Sequence, residues 1–128
     1  MPATAMEHSP GFLALVADAK TRVRETTPEE VHRRQQAGSR FHFVDVREDG
    51  EWEKGHARGA VHLSKGIIER DVETTVADRD AEIILYCGGG FRSALAADAL
   101  QKMGYRHVFS MDGGWRQWTA LGYPVERG

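Results

Sequence analysis

Cysteine is almost absent: Cys87 is the only one in 128 residues. A single thiol cannot close an internal disulfide. Long apolar stretches are also missing, and none approaches the roughly 18 residues that a membrane-crossing helix needs. The first residues, MPATAMEHSPGF, lack a basic segment followed by an apolar one, so no secretory signal is read. A reducing cytoplasm is then the expected compartment. Neither sign of charge dominates. The 17 Lys and Arg face 19 Asp and Glu, for a formal net charge of -2, which leaves no electrostatic footprint for nucleic acid or an anionic membrane. There is no CxxC or HExxH, and His8, His32, His42, His62 and His107 fall at no metal-ligand spacing, so neither metal nor cofactor is expected. Phosphate loops of the GxxxxGK[ST] and GxGxxG types are missing as well. Internal repeats, low-complexity tracts and linkers are not seen.

What is present is an ordinary globular composition, with 41% apolar and 28% charged residues. A chain of this size suits one domain that buries its own core without a disulfide or metal. Residues 1–10 carry two prolines and small residues, and fraying is expected there. From Phe12 the spacing of Leu13, Val16 and Val23 predicts a helix over about 11–22, packed across the domain. The N-terminal helical segment is assigned to 11–25 and the main domain to 26–128.

Thr27-Pro28-Glu29-Glu30 is a helix start: a capping hydroxyl, a proline for the first turn, and acids that complement the dipole. That helix should stop near Gly38. Strands are expected at 41–46 and 60–63, a one-turn helix around Glu51–Lys54, and a helix from Gly66 to about Val76. Glu82-Ile83-Ile84-Leu85-Tyr86 reads as a fully buried strand of a parallel sheet. A helix over 91–103 follows, with Leu95, Ala99 and Met103 on one face and Gly104 as its stop. The small residues from Ala94 to Ala99 suit close packing on a sheet. A strand at 107–109 and a short helix at 115–121 complete the chain. Such alternation implies an α/β fold, with a parallel sheet flanked by helices on both faces and right-handed crossovers. Ligands of such sheets bind at the carboxyl ends of the strands, which is where Cys87 stands.

After Cys87 come Gly88, Gly89 and Gly90, and then a helix that opens with Phe91, Arg92 and Ser93. Three glycines free the backbone from Cβ clashes, so several amide N–H groups can converge on one point. The helix N-terminus adds partial positive charge there, and Arg92 offers a full one. All three favour an anionic sulfur. The plainer alternative is a small buried Cys before a tight turn. The strand-end position and the basic helix start favour a reactive thiol.

These residues resemble a known family. Cys87 to Ser93 is similar to the rhodanese active-site loop, C-x-x-G-x-R-[ST]. Upstream, Asp45-Val46-Arg47 and Glu51 to Ala60 resemble that family's D-x-R…E-[FWY]-x-x-G-H-[I]-x-G-A element, with Ala57 in place of the usual Ile. Downstream, Met111-Asp112-Gly113-Gly114-Trp115, Trp118 and Gly122 to Val125 resemble its L-x-G-G…W…G-x-P-V ending. The resemblance covers about residues 26–126. It implies a rhodanese-like fold with a central parallel sheet of four to five strands, here with an extra N-terminal helix.

It also implies a sulfurtransferase in which Cys87 is the nucleophile and carries a persulfide. The sulfur donor would be one such as thiosulfate. The acceptor would be cyanide, a thiol or a sulfur-accepting protein. Gly88, Gly89, Gly90, Phe91, Arg92 and Ser93 would form the substrate cradle. Lys65 stands where a subgroup has Arg in S-R-G-x-x-E, and Lys lacks the bidentate fork. Asp45, Arg47, Glu53 and His56 are assigned to structural support. Arg92 is expected to brace the loop through Glu51 or Glu53, or else to bind the donor.

Two further readings stay open. One is a phosphatase or arsenate reductase on the same Cys–Arg loop, against which the resemblance sets the four intervening residues, one fewer than in the related cell-cycle phosphatases. The other is a non-catalytic binding module, although such versions usually lack the Cys. The tryptophans at 52, 115 and 118 are expected to serve as core and helix-docking residues.

Overall fold

The computed structural model describes residues 8–127, so most of the expected frayed N-terminus lies outside the described residues. In chain order the elements are α1 (Pro10–Lys20), β1 (Arg24–Thr26), α2 (Pro28–Gln36), β2 (His42–Asp45), α3 (Asp49–Lys54), β3 (His56–Ala57), β4 (Val61–His62), α4 (Ile68–Thr75), β5 (Glu82–Tyr86), α5 (Phe91–Lys102), β6 (His107–Met111), α6 (Gly114–Ala120) and β7 (Val125–Glu126). Five strands form one parallel sheet in the order β1-β6-β5-β2-β4. β3 and β7 make a separate antiparallel ribbon. No helix among the described residues is long and apolar enough to cross a membrane.

Period-2 alternation along β5 splits the core. Ile83 and Leu85 face one side with Val44, Val46 and Val108, under Ile68 and Val72 of α4 and Ala96, Ala97 and Leu100 of α5. Ile84 and Tyr86 face the other, with Phe43, Val31 of α2 and Trp118 of α6. Both faces are therefore covered, as an all-parallel sheet requires. β5 occupies the centre and is buried from Ile83 to Tyr86, as its apolar run predicts, while Glu82 at its start is partly exposed and pairs with Arg34.

The start of α2 matches its capping signal: the Thr27 hydroxyl accepts the Glu30 N–H at 3.2 Å. Three strands depart from expectation. The segment assigned to 11–25 is not one helix: α1 ends at Lys20, and residues 24–26 become an edge strand parallel to β6. Arg24-Glu25-Thr26 has no apolar alternation because an edge strand of three residues buries little. β3 and β7 span two residues each, too short for any periodicity to register.

Two helix faces also differ. On α1, Val16 and Ala19 are buried, but Leu13 is 43% exposed. On α5, the buried residues are Ser93, Ala94, Ala96, Ala97, Asp98 and Leu100, whereas Leu95 and Ala99 are half-buried. The reason is that α5 contacts α1 as well as β5 and β6, so its small residues meet the sheet. Trp118 is fully buried, while Trp52 and Trp115 are partly so.

Candidate active site

β5 delivers Cys87 to the carboxyl edge of the sheet with 1% exposure. Its chain then reverses through the glycines into α5. Gly90 adopts φ +104, and a Cβ there would stand 3.3 Å from Asp112 Cα. Only glycine takes this conformation without strain. The reversal aims backbone donors at the sulfur. Gly90 N–H donates to Sγ at 3.1 Å and Ser93 N–H at 3.4 Å. The thiol itself lies 3.6 Å from the Ser93 hydroxyl, which shares a 2.8 Å hydrogen bond with the buried Ser110 hydroxyl. Cys87 is thus held in a polar cradle of two backbone N–H groups and a hydroxyl.

The outer side of the loop is gripped by α6. Trp115 N–H donates to the Cys87 carbonyl at 2.8 Å and Arg116 N–H to the Gly88 carbonyl at 3.0 Å. The first-turn amides of a helix have no partners within it, and here the loop's carbonyls supply them. This approach requires Gly114 at φ +53, because a Cβ would fall 2.4 Å from the Cys87 carbonyl oxygen. Spacing identified Gly114 only as part of a motif; its contact with the loop is a product of the fold.

Arg92 turns to Glu51 of α3 in a bidentate pair at 2.8 and 3.1 Å. The Arg92 hydrogen bonds hold the Glu51 carboxyl below its usual range, and Glu51 in turn raises the Arg92 guanidinium. Glu51 is therefore the partner. Glu53, the assigned support residue, is exposed and makes no ion pair among the described residues.

Asp45 and Arg47 form a second, buried pair. Asp45 accepts from the Arg47 backbone N–H at 2.8 Å and from its guanidinium at 2.8 and 3.1 Å. Arg47 also donates to the Gly55 carbonyl at 2.7 Å and lies 4.5 Å over the Trp115 ring. It thus ties the end of α3 to α6. Beside it, Tyr86 accepts the Ala57 N–H at 2.9 Å. Burial, seconded by the Asp45 carboxylate, pushes the Tyr86 hydroxyl up and keeps it neutral. His56 is buried and stacks on Trp52 with ring centroids 3.5 Å apart.

A cleft of about 570 Å³ opens over this loop. Cys87, Gly88, Gly89, Phe91 and Arg92 contribute to its lining. Gly90 and Ser93 stand behind the sulfur instead. Lys65 is not among the residues that line this cleft; its backbone N–H donates to the Val46 carbonyl at 2.9 Å. Four residues that sequence reasoning missed do line the cleft: His8, Ser9 and Phe12 around the start of α1, and Arg116 of α6. No local pattern could have found them, since they reach Cys87 only through helix docking. Among the described residues no group of three His, Cys, Asp or Glu side chains is placed to hold a metal.

Comparison with known proteins agrees with this geometry. The rhodanese-like domain family model matches residues 27–121. The thiosulfate sulfurtransferase GlpE of Haemophilus influenzae is 33% identical over 103 residues, covering 80% of this chain and 94% of that protein. A putative sulfur carrier protein of Bacillus subtilis, YrkF, is 35% identical over 79 residues, or 62% of this chain; the chain spans only 42% of that relative's length. Among solved structures, a Rhodopseudomonas palustris protein of unknown function, described as a possible tyrosine phosphatase, superposes with a TM-score of 0.84 at 28% identity, covering 98% of this chain and 99% of that one. The chain belongs to the rhodanese-like domain family, whose members among its relatives include thiosulfate sulfurtransferases.

Proposed function

We propose that this protein is a sulfurtransferase that carries sulfane sulfur on Cys87. The observation that carries this reading is the pair of loop N–H groups, from Gly90 and Ser93, that converge on Sγ at the floor of an open cleft. Donors placed there stabilise a thiolate before attack and a persulfide anion after it. In the first half-reaction the Cys87 thiolate attacks the outer sulfur of a donor such as thiosulfate. A Cys87 S–S bond forms, the donor S–S bond breaks, and sulfite leaves with the electron pair. In the second, cyanide or a thiolate attacks the outer sulfur and Cys87 departs as thiolate. No second cysteine is available, so sulfur passes directly to an external acceptor, whether a small molecule or the thiol of a protein. A reducing cytoplasm is the compartment in which such a thiol stays free.

The name of the Rhodopseudomonas neighbour favours one alternative, a phosphatase on the same Cys–Arg loop. Against it stands Arg92, whose guanidinium is occupied by Glu51 rather than presented to an oxyanion. The deciding experiment is intact mass after thiosulfate treatment, run beside an aryl phosphate assay. A gain of one sulfur that cyanide removes, abolished in Cys87→Ser, is expected. Phosphate release without that gain refutes the reading, and inactivity in both assays leaves a binding module.

A further inference from the structure

The segment ahead of the matched family region builds one wall of the cleft. The family match starts at residue 27, yet His8, Ser9 and Phe12 lie beside Cys87. The His8 ring meets Phe91 edge-on with centroids 4.8 Å apart, and lies 5.1 Å from Phe12; Phe12 and Phe91 are 6.2 Å apart. Because Phe91 opens α5 within the cysteine loop, these three rings form an aromatic face that leads to the sulfur, apolar at Phe12 and Phe91.

A cation stands on the same cleft. Arg116 Nη1 lies 3.3 Å from the position a Cβ on Gly89 would take. The other cations nearby are spoken for: Arg92 pairs with Glu51, and Lys20 with Glu25 at 3.2 Å. Arg116 makes no ion pair among the described residues, and it is exposed. Docking α1 onto the domain explains the rings but leaves this guanidinium without a purpose. The cleft volume of about 570 Å³ falls in the range that holds organic ligands, and an inorganic dianion such as thiosulfate fills little of it.

We propose that this wall is an acceptor subsite for a small organic thiol with an apolar body and a carboxylate. The body lies on His8, Phe12 and Phe91, and the carboxylate on Arg116. The inference rests on Cys87 bearing the persulfide. The acceptor thiol gives its proton to solvent and its thiolate attacks the outer sulfur. The new S–S bond forms on the acceptor while the Cys87 S–S bond breaks and Cys87 leaves as thiolate. The step is redox-neutral and needs no co-reactant. An apolar body is desolvated against the rings, and a carboxylate meets a donor fork suited to it.

The test loads the full chain with thiosulfate and follows discharge of the persulfide by intact mass. Three thiols at sub-saturating concentration are compared: 6-mercaptohexanoate, 6-mercaptohexanol and 3-mercaptopropionate. Cyanide serves as the check that loaded protein is competent. The carboxylate should speed discharge about tenfold over the alcohol, the worth of one charge-assisted hydrogen bond. Arg116→Gln should bring that ratio close to one. Phe12→Ala should shrink the advantage of the long acid over the short one by about threefold or more, for loss of a buried aromatic contact. Should Phe12→Ala loosen α1, seen as a lower melting temperature, Phe12→Leu reads the same ratio on a packed helix. Equal rates with all three thiols, or ratios that neither variant moves, overturn the subsite. Persulfide that cyanide discharges and no thiol does overturns it too, leaving the sulfurtransferase reading intact and pointing to a protein acceptor. Failure to load any persulfide removes both.

Discussion

The carbonyl oxygen of Cys87 and the α-carbon of Gly114 approach so closely that a Cβ on Gly114 would stand 2.4 Å from that oxygen. The same carbonyl accepts the Trp115 N–H at 2.8 Å. The Cys87 loop and the start of α6 are thus one unit, 27 residues apart in sequence.

Gly114→Ala should therefore push α6 off the loop. Overpacking against backbone together with a left-handed alanine should cost about 2–4 kcal/mol, read by urea denaturation. Sulfur transfer should fall with it. Gly88→Ala is the control, since its Cβ would meet only the Arg92 side chain end at 3.1 Å; its stability should stay within about 1 kcal/mol of the parent. Equal losses in the two variants would argue against the α6 grip.

Arg92 is expected to brace α3 against the loop. Arg92→Lys keeps the charge but loses the two-pronged contact with Glu51, so it should lower the melting temperature by a few degrees and alter KM for thiosulfate by less than about twofold. A large rise in KM with an unchanged melt would assign Arg92 to the donor instead. The pH dependence follows from Glu51. Its folded carboxyl titrates below the ordinary value of 4.5, so its stabilisation is fully present above that value and is lost as pH falls through the lower folded value. Glu51→Gln should thus melt earlier than the parent at pH 7, and the gap should close in strong acid. A gap that persists in acid would show that the pair is not its source.

The Ser93 hydroxyl sits between the Cys87 thiol and Ser110. Ser93→Ala should slow persulfide formation about three- to tenfold, the effect of one hydrogen bond at the reacting atom. Ser110→Ala, which frees the Ser93 hydroxyl to rotate, should have a smaller effect of the same sign. Rapid-mix mass measurement of sulfur loading provides the rate. Unchanged loading in Ser93→Ala would leave the sulfur held by backbone donors alone.

The buried Asp45–Arg47 pair provides a test of whether the Asp45 carboxylate is structural. Both are nearly or fully buried, so Asp45→Ala strands an uncompensated guanidinium and should cost about 3–5 kcal/mol. Chemical denaturation gives the loss, and activity per folded molecule should change far less. A stable Asp45→Ala protein with no activity would make Asp45 part of the chemistry.

The order of elements around Cys87 was legible from sequence because each carries a local signal. The Thr27-Pro28 cap sets α2, the unbroken apolar run sets β5, and Gly88 to Gly90 mark a reversal before a basic helix start. These are properties of neighbouring residues, and they depend on backbone sterics and hydrophobic period rather than on distant partners. Residues 24–26 escaped notice because an edge strand buries too little side chain to impose alternation, and pairing with β6 alone makes it a strand.

What lay outside sequence were contacts between segments far apart in the chain. Glu51 and Glu53 look alike in sequence; the helical turn of α3 decides which one meets Arg92. Gly114 looks like any turn glycine until α6 docks on Cys87. His8, Phe12 and Arg116 reach the cleft only because α1 packs on α5 and α6 packs under the loop. Short-range chemistry pointed to the Cys87 sulfur and to the backbone shape that surrounds it. Long-range packing, which depends on every face fitting at once, decided what braces that atom and what can approach it.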